Sequence, residues 1–241
     1  MISIVSPVYN SKSTVNLLVK QINFYVKQIT KKFELILVDD FSSDTSWNKI
    51  KKLKKKYKFI KGLKLDKNYG QHAAISIGIT HSKNNIVIVM DCDLQDNPKH
   101  IIDMIKLYNK YGKSVIIHNT YTVNPKRLLS RIFWFFLKII SLKNFNQNFG
   151  NYILIDKKIK KKYLSLRNKT YYYGDLINLK TKFQILKKER EESKRKEGST
   201  YSSCKLILMS LSLIMRYNFF SEKFKFMKRT KPKKIIVDEI I

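Results

Sequence analysis

Through the first 118 residues, short β-branched apolar runs alternate with stretches whose apolar positions recur at helical spacing. Ile2–Val5 reads as a strand, and 14–29 reads as a helix, with Val15, Leu17, Leu18, Ile22, Tyr25, Val26 and Ile29 as its apolar positions. The pattern repeats with Glu34–Val38 and a helix from about Thr45 that Asp44 could cap, then Phe59–Leu65 and a helix over 71–81. Ile86–Met90 follows, then a helix capped by Asn97 with Pro98 at its first position and running to about Tyr108, then a strand Ser114–His118. Strands alternating with helices predict an α/β fold: a mostly parallel sheet covered on both faces. After residue 118 the texture changes to longer amphipathic segments, a Lys/Arg-rich stretch over 187–198, and a basic run KFKFMKRTKPKK.

Composition narrows the class. The 241 residues, 44% hydrophobic and 12% aromatic with 7 Gly and 4 Pro, suit one generous domain and exclude collagen-like and disordered chains. Cys92 and Cys204 lie far apart without metal-ligand spacing, which excludes a disulfide framework and a zinc site and fits a reducing cytoplasm. No apolar run reaches the ~18 residues of a membrane span. Charge is the outlier: 49 Lys+Arg against 18 Asp+Glu gives +31. Residues 1–118 carry a net +11 and 119–241 a net +20, so a polyanion-facing role falls more on the second half, although Lys-rich solvated faces account for the same numbers.

The polar oddities cluster where strands end. In open parallel sheets ligands bind beyond the carboxyl ends of the strands. Pro7-Val8-Tyr9-Asn10 follows the first strand, Asp39-Asp40 the second, Lys67-Asn68-Tyr69-Gly70 the third, and Asp91-Cys92-Asp93-Leu94-Gln95-Asp96 the fourth. Asp91 and Asp93, two apart, can aim to one side while Cys92 points away; such oxygen ligands suit Mg²⁺ or Mn²⁺ clamping a diphosphate, or else Asp91 simply caps a turn. A buried Asp39 could accept an imino N–H from a nucleobase with Tyr9 packed on the base, or belong to the loop leading into the next helix. Lys67 is either a phosphate contact or one more surface lysine. A phosphate-loop NTPase is excluded, because Leu107 stands where the first glycine before Gly112-Lys113-Ser114 is required.

Taken together, SPVYN, ILVDDFSSD, LDKNYGQHAAISIGI and VMDCDLQDNPKHI resemble the family 2 glycosyltransferases, inverting enzymes of the GT-A fold, over about residues 2–110. Within that family the strings are most similar to the polyprenyl-phosphate glycosyltransferases, dolichyl and undecaprenyl. The resemblance implies a UDP- or GDP-linked sugar donor. It implies a nucleotide pocket from Pro7, Tyr9, Asn10, Val38, Asp39, Asp40, Lys67, Asn68 and Gln71, and a Mg²⁺ or Mn²⁺ ion held by Asp91, Asp93 and Gln95. Residues 1–118 would form the nucleotide-sugar-binding half of the domain, and 119–241 the acceptor-binding and membrane-interface half, with an amphipathic helical and basic extension.

The second half matches more weakly. NFGNYILIDKKI at 148–159 resembles the family's segment of a Gly-Asp pair before a short strand, with Asn151 in the acidic place, and Arg195 to Tyr201 resembles its R-x-x-G-x-S-x-Y loop with one residue missing. The family's paired arginines should fall near Asn119–Tyr121, where none stands, so Arg127, Arg131 and Arg195 are the candidate cradle for an acceptor phosphate. A phosphate acceptor needs no base. A glycan hydroxyl would, and Asp175 is then the candidate, unless it caps a helix at DLINLK. Residues 132–142 and 204–215 could lie in a membrane interface, with 223–234 drawn to anionic headgroups, or pack into the core. The expected setting is the cytoplasmic face of a membrane, with a separate anchor subunit possible. The alternative of another class is a basic nucleic-acid-binding protein, favoured by the +31 charge and the 14 Tyr and 14 Phe. That charge comes without any recognition module, and no nucleic-acid partner is expected.

Overall fold

A computed structural model describes residues 1–120, 149–166, 183–189 and 235–241. All of them belong to one compact unit; a second unit, Tyr121–Asn148 with Gly198–Lys231, lies outside the described residues. At the centre is β1 (Ile2–Val8), buried along its whole length. It pairs in parallel with β2 (Phe33–Asp39) on one side and with β4 (Ile86–Val89) on the other, and β2 pairs in parallel with β3 (Ile60–Leu65). The expected strand stopped at Val5, but pairing with β2 continues through Pro7↔Val38 to Val8↔Asp39. Pro7 is tolerated there because it lies past the last β4 pairing, Val5↔Val89, so its missing N–H removes no bond to that neighbour.

The helices connecting these strands are α1 (Val15–Lys27), α2 (Ser46–Lys56), α3 (Gln71–His81) and α4 (His100–Tyr111). The carboxylate of Asp44 accepts the N–H of Ser46, the first residue of α2, at 2.9 Å, but the N-cap position is Thr45, so Asp44 holds the helix start from one residue before the cap. Asn97 also serves its helix, but from a lead-in turn: its Oδ1 accepts from Lys99 N at 2.9 Å and its carbonyl from His100 N at 3.0 Å, and α4 starts two residues later than the sequence implies.

Alternation along β2 divides the core. Leu35 and Leu37 face the side of α1, α2 and α4, with Leu18, Ile22, Ile50 and Met104. Ile36 and Val38 face α3 and α5 (Lys157–Leu164), with Ile75, Ile79, Ile159 and Tyr163. The sheet then recruits residues beyond 118: β5 (Val115–Thr120), β6 (Phe149–Ile155), β7 (Gln184–Glu189) and β8 (Val237–Ile240). Among the described residues the order is β7, β5, β6, β4, β1, β2, β3, β8, with β6 and β8 antiparallel to their neighbours. This is the expected α/β sheet, mostly parallel and covered on both faces.

Helix α3 is fixed most tightly. A Cβ on Gly78 would sit 2.3 Å from Val5 Cγ1, so only glycine lets this helix lie so close on β1. Past its far end the buried Lys160 donates to the carbonyls of Ser82 (2.8 Å), the C-cap residue, and Asn84 (2.7 Å), in the turn that leads to β4. Among the described residues no helix is long and apolar enough to cross a membrane. The segments 132–142, 204–215 and 223–234 lie outside those residues.

Candidate functional site

The carboxyl ends of the parallel strands form one rim, and the loops leaving it are stitched together. Asn10 Oδ1 accepts from Ser43 N at 2.9 Å, Asn10 N donates to Ser42 Oγ at 3.0 Å, and Ser11 N donates to Ser46 Oγ at 2.8 Å. These bonds fasten the loop after β1 to the loop after β2. Among the described residues, three non-glycine residues adopt left-handed backbone, and all three are in rim loops: Asn10 (φ 45°), Phe41 (φ 61°) and Leu94 (φ 63°). Such strain persists only where surrounding bonds over-determine it, and it collects at functional sites.

Asp39 and Asp40 are neighbours with opposite employment. Alternation sends Asp40 to the face of α3, where its two carboxylate oxygens accept from Tyr69 N and Gly70 N, each at 2.8 Å, while Asn68 Nδ2 donates to the Asp40 carbonyl at 3.2 Å. Asp40 thus holds the loop carrying Lys67 and Asn68. Lys67 is exposed, its ammonium 5.2 Å from the centre of the Tyr69 ring. Asp39, fully buried, accepts Ser42 N–H through Oδ2 at 3.2 Å, but its Oδ1 is buried with no hydrogen-bond partner among the described residues. Burial raises the pKa of its carboxyl, against the lowering effect of the Ser42 hydrogen bonds; Asp44 adds to the rise and Lys64 opposes it. A buried, unpartnered carboxylate oxygen is costly, and an N–H donor from a ligand relieves that cost.

After β4, exposure alternates: Asp91, Asp93 and Gln95 are half-buried, whereas Cys92, Leu94 and Asp96 are buried. Asp91 Oδ1 accepts from Gln71 Nε2 at 2.7 Å, tying this loop to the first residue of α3, and Asp93 Oδ1 accepts Gln95 N–H at 3.0 Å. Among the described residues no three His, Cys, Asp or Glu side chains converge as a metal cluster. The donor set at this loop is a pair of hard carboxylates. That fits a cation such as Mg²⁺ or Mn²⁺ whose other positions are filled by phosphate oxygens and water, rather than one caged by protein alone.

The structure brings Pro7, Tyr9, Asn10, Val38, Asp39, Asp40, Lys67, Asn68, Gln71, Asp91, Asp93 and Gln95 to the rim or the strand ends beneath it; Pro7 and Val38 are buried there as paired strand residues. Arg127, Arg131, Asp175 and Arg195 lie outside the described residues. The sequence reading placed Tyr69 and Ser42-Ser43-Asp44 in rim loops but gave them no part in the site. Tyr69 is pinned through its backbone to Asp40, and the run Ser42, Ser43, Asp44 and Ser46 supplies the bonds between the first two loops; its density of short hydroxyl and carboxylate side chains was the available signal.

The family model described as Glycosyl transferase family 2 matches residues 3–199. The chain is 38% identical over 106 residues to the undecaprenyl-phosphate 4-deoxy-4-formamido-L-arabinose transferase of Photorhabdus laumondii; the match covers 44% of this chain and 33%, about a third, of that relative. In fold it is similar to glucosyl-3-phosphoglycerate synthase from Mycobacterium tuberculosis, solved with Mn²⁺, UDP and phosphoglyceric acid (TM-score 0.64, 15% identity, 92% of this chain and 80% of that one). It is also similar to the mannosyltransferase PcManGT from Pyrobaculum calidifontis, solved with GDP-Man and Mn²⁺ (TM-score 0.55, 14% identity, 82% and 58%).

Proposed function

Because the chain belongs to glycosyl transferase family 2, we propose that it moves a sugar, with inversion, from a UDP- or GDP-linked donor to a polyprenyl phosphate. The observation that supports the donor half is Asp39 Oδ1, buried at the rim and without a partner among the described residues; in this reading it accepts the imino N–H of a nucleobase. Both uracil and guanine carry such a group. Lys67, Asn68 and Gln71 would meet the diphosphate, which lies toward Asp91 and Asp93. A Mg²⁺ or Mn²⁺ ion bound by those carboxylates, with Gln95 beside them, supplies neutralisation of the charge on the leaving diphosphate.

The acceptor phosphate oxygen forms its bond to the anomeric carbon from the side opposite the departing diphosphate oxygen, and so the configuration inverts. Already anionic, that oxygen needs a basic cradle rather than a base, and Arg127, Arg131 and Arg195 are the residues proposed for it. The polyprenyl acceptor is supported by the relative's name. Such a carrier sets the chain peripherally on the cytoplasmic face of a membrane, where its +31 charge favours anionic headgroups and a separate anchor subunit is a further partner to seek. The absence of arginine at Asn119–Tyr121 favours a second reading in which the acceptor is a glycan hydroxyl and Asp175 its base.

The test is transfer of labelled sugar from a panel of UDP- and GDP-sugars, with Mn²⁺ or Mg²⁺, in vesicles containing undecaprenyl phosphate. Label in an acid-labile, organic-extractable product is expected. Label confined to water-soluble glycan would move the acceptor to a hydroxyl, and no release of nucleoside diphosphate from any donor would end the transferase reading.

A further inference from the structure

We propose that β8 and the two residues before it form a latch that positions the Asp66–Gly70 loop for the nucleotide donor, with Tyr69 and Glu239 as positioning residues. The inference rests on the donor reading above. Running antiparallel to β3, β8 begins at the rim where β3 ends. There the backbone of Ile236 takes hold of the loop at two points. Its carbonyl accepts from Asp66 N at 3.3 Å, and its N–H donates to Tyr69 Oη at 3.4 Å. Tyr69 is therefore held from both ends, by Asp40 at its backbone N–H (2.8 Å) and by Ile236 at its hydroxyl. Lys67 and Asn68, the exposed residues of this loop, lie between the two grips.

The latch is anchored well beyond what two long hydrogen bonds could sustain. Ile241 and Gly62 exchange N–H and C=O bonds, each at 3.0 Å. Glu239 accepts Trp47 Nε1–H at 2.8 Å and lies 3.6 Å from the Lys51 ammonium, while Asp238 lies 3.7 Å from Lys64. A Cβ on Gly62 would stand 2.8 Å from Ile241 Cγ1 and 2.9 Å from Ile50 Cγ2, so glycine there leaves the space that Ile241 fills. Ile241 packs on the apolar cluster of one sheet face, and Ile235 and Val237 pack on that of the other, which also receives the Tyr69 ring. Covering the edge of β3 would explain the ladder and the packing. It also accounts for the Asp66 bond, the next position of that ladder, but not for the bond to the Tyr69 hydroxyl, which bears on the loop alone.

The experiment uses the full chain and the variants Tyr69→Phe, Glu239→Ala and Glu239→Gln, with three readouts: hydrogen exchange at the Tyr69 and Gly70 amides, affinity for UDP and GDP with Mn²⁺ by calorimetry, and the melting temperature. Tyr69→Phe removes one hydroxyl, and is expected to speed exchange at both amides and weaken nucleotide binding about 3–10-fold, with little change in melting temperature. Glu239→Ala should act in the same direction. Glu239→Gln, which keeps an acceptor for Trp47, should restore affinity, and the double variant with Tyr69→Phe should lose less than the product of the single losses. A lower melting temperature with exchange and affinity unchanged would overturn the latch. A wild-type chain that binds neither nucleotide would overturn the donor reading and the latch with it, an outcome distinct from wild-type binding that the variants leave untouched.

Discussion

The loops after β3 and after β4 leave the same rim, yet they are held in opposite ways. The first is saturated: Asp40 accepts two backbone N–H groups, Asn68 returns a bond to the Asp40 carbonyl, and Ile236 closes the other side. The second is held by side chains within it and by the first residue of α3. Asp91 has its bond from Gln71, Asp93 spends one oxygen on its own loop, and Leu94 turns the chain at φ 63°. A loop that recognises one fixed shape gains from being built in advance. On the proposed reading, the carboxylates of the second loop exchange their present partners for a cation and tolerate mutual repulsion until it arrives.

Exchanging the two acidic roles is the sharpest way to break this contrast. Asp93→Ala should reduce sugar transfer at least ~10³-fold, about 4 kcal/mol of transition-state stabilisation, with unchanged melting behaviour. Asp40→Ala should do the reverse in order of cause. Two charge-assisted acceptors vanish from a nearly buried position, and stability measured by urea denaturation should fall by about 3–4 kcal/mol, with donor affinity lost through the disordered loop. If Asp40→Ala melts like wild type, or Asp93→Ala costs as much stability as activity, the two loops do not differ as argued.

Much of this was legible in the residues, because apolar runs, capping side chains and strand-end polar clusters are local signals. The first four strands and the helices between them follow from them, and so does the gathering of Asp39, Asp91 and Asp93 toward one rim. What was not legible depends on distant pairing. β7 and β8 are short and charged, QILKKE and VDEI, as edge strands commonly are, and only their partners β5 and β3 make them strands. The separate duties of Asp39 and Asp40 were hidden for a related reason. Alternation says that they point to opposite faces, but not that Asp40 meets an amide at each oxygen while Asp39 meets one amide and, among the described residues, keeps an oxygen unmatched.

His72 lies at the junction of the two loops, one residue past the Gln71 that binds Asp91. Its Nδ1 is out of reach of solvent, and burial pulls its pKa from 6.5 down to about 4. Between these values the unfolded chain binds a proton that the folded chain refuses. The stability owed to neutral His72 is therefore whole above pH 6.5 and is lost as pH falls toward 4, by at most roughly 3 kcal/mol. Asp39, raised by burial, has the opposite sign: its contribution is fully present below the ordinary aspartate range and is lost as pH rises through its folded pKa. The two partly offset in the wild type, so the measurement is a difference. Denaturation of wild type and His72→Gln at pH 7 and pH 4.5 should show the variant losing less stability on acidification. Parallel losses would mean that the imidazole is not held neutral.

The smallest effect separates strain from packing at the rim. Phe41 (φ 61°) is 49% exposed, whereas Leu94 (φ 63°) is 1% exposed in the core. Left-handed backbone costs a residue with a Cβ roughly 1–2 kcal/mol, which glycine does not incur, although glycine returns part of that gain as unfolded-state entropy. Phe41→Gly removes the strain and sacrifices little burial, so it should raise stability by about 1 kcal/mol. Leu94→Gly removes the same strain but empties a buried site, at a cost of about 2–5 kcal/mol, and must be destabilising on balance. Thermal denaturation of the pair decides the matter by sign. A stabilised Phe41→Gly that also binds donor more weakly would show that the ring is kept in its strained position for a ligand, whereas a destabilised one would mean that the exposed ring contributes more to the fold than its backbone costs.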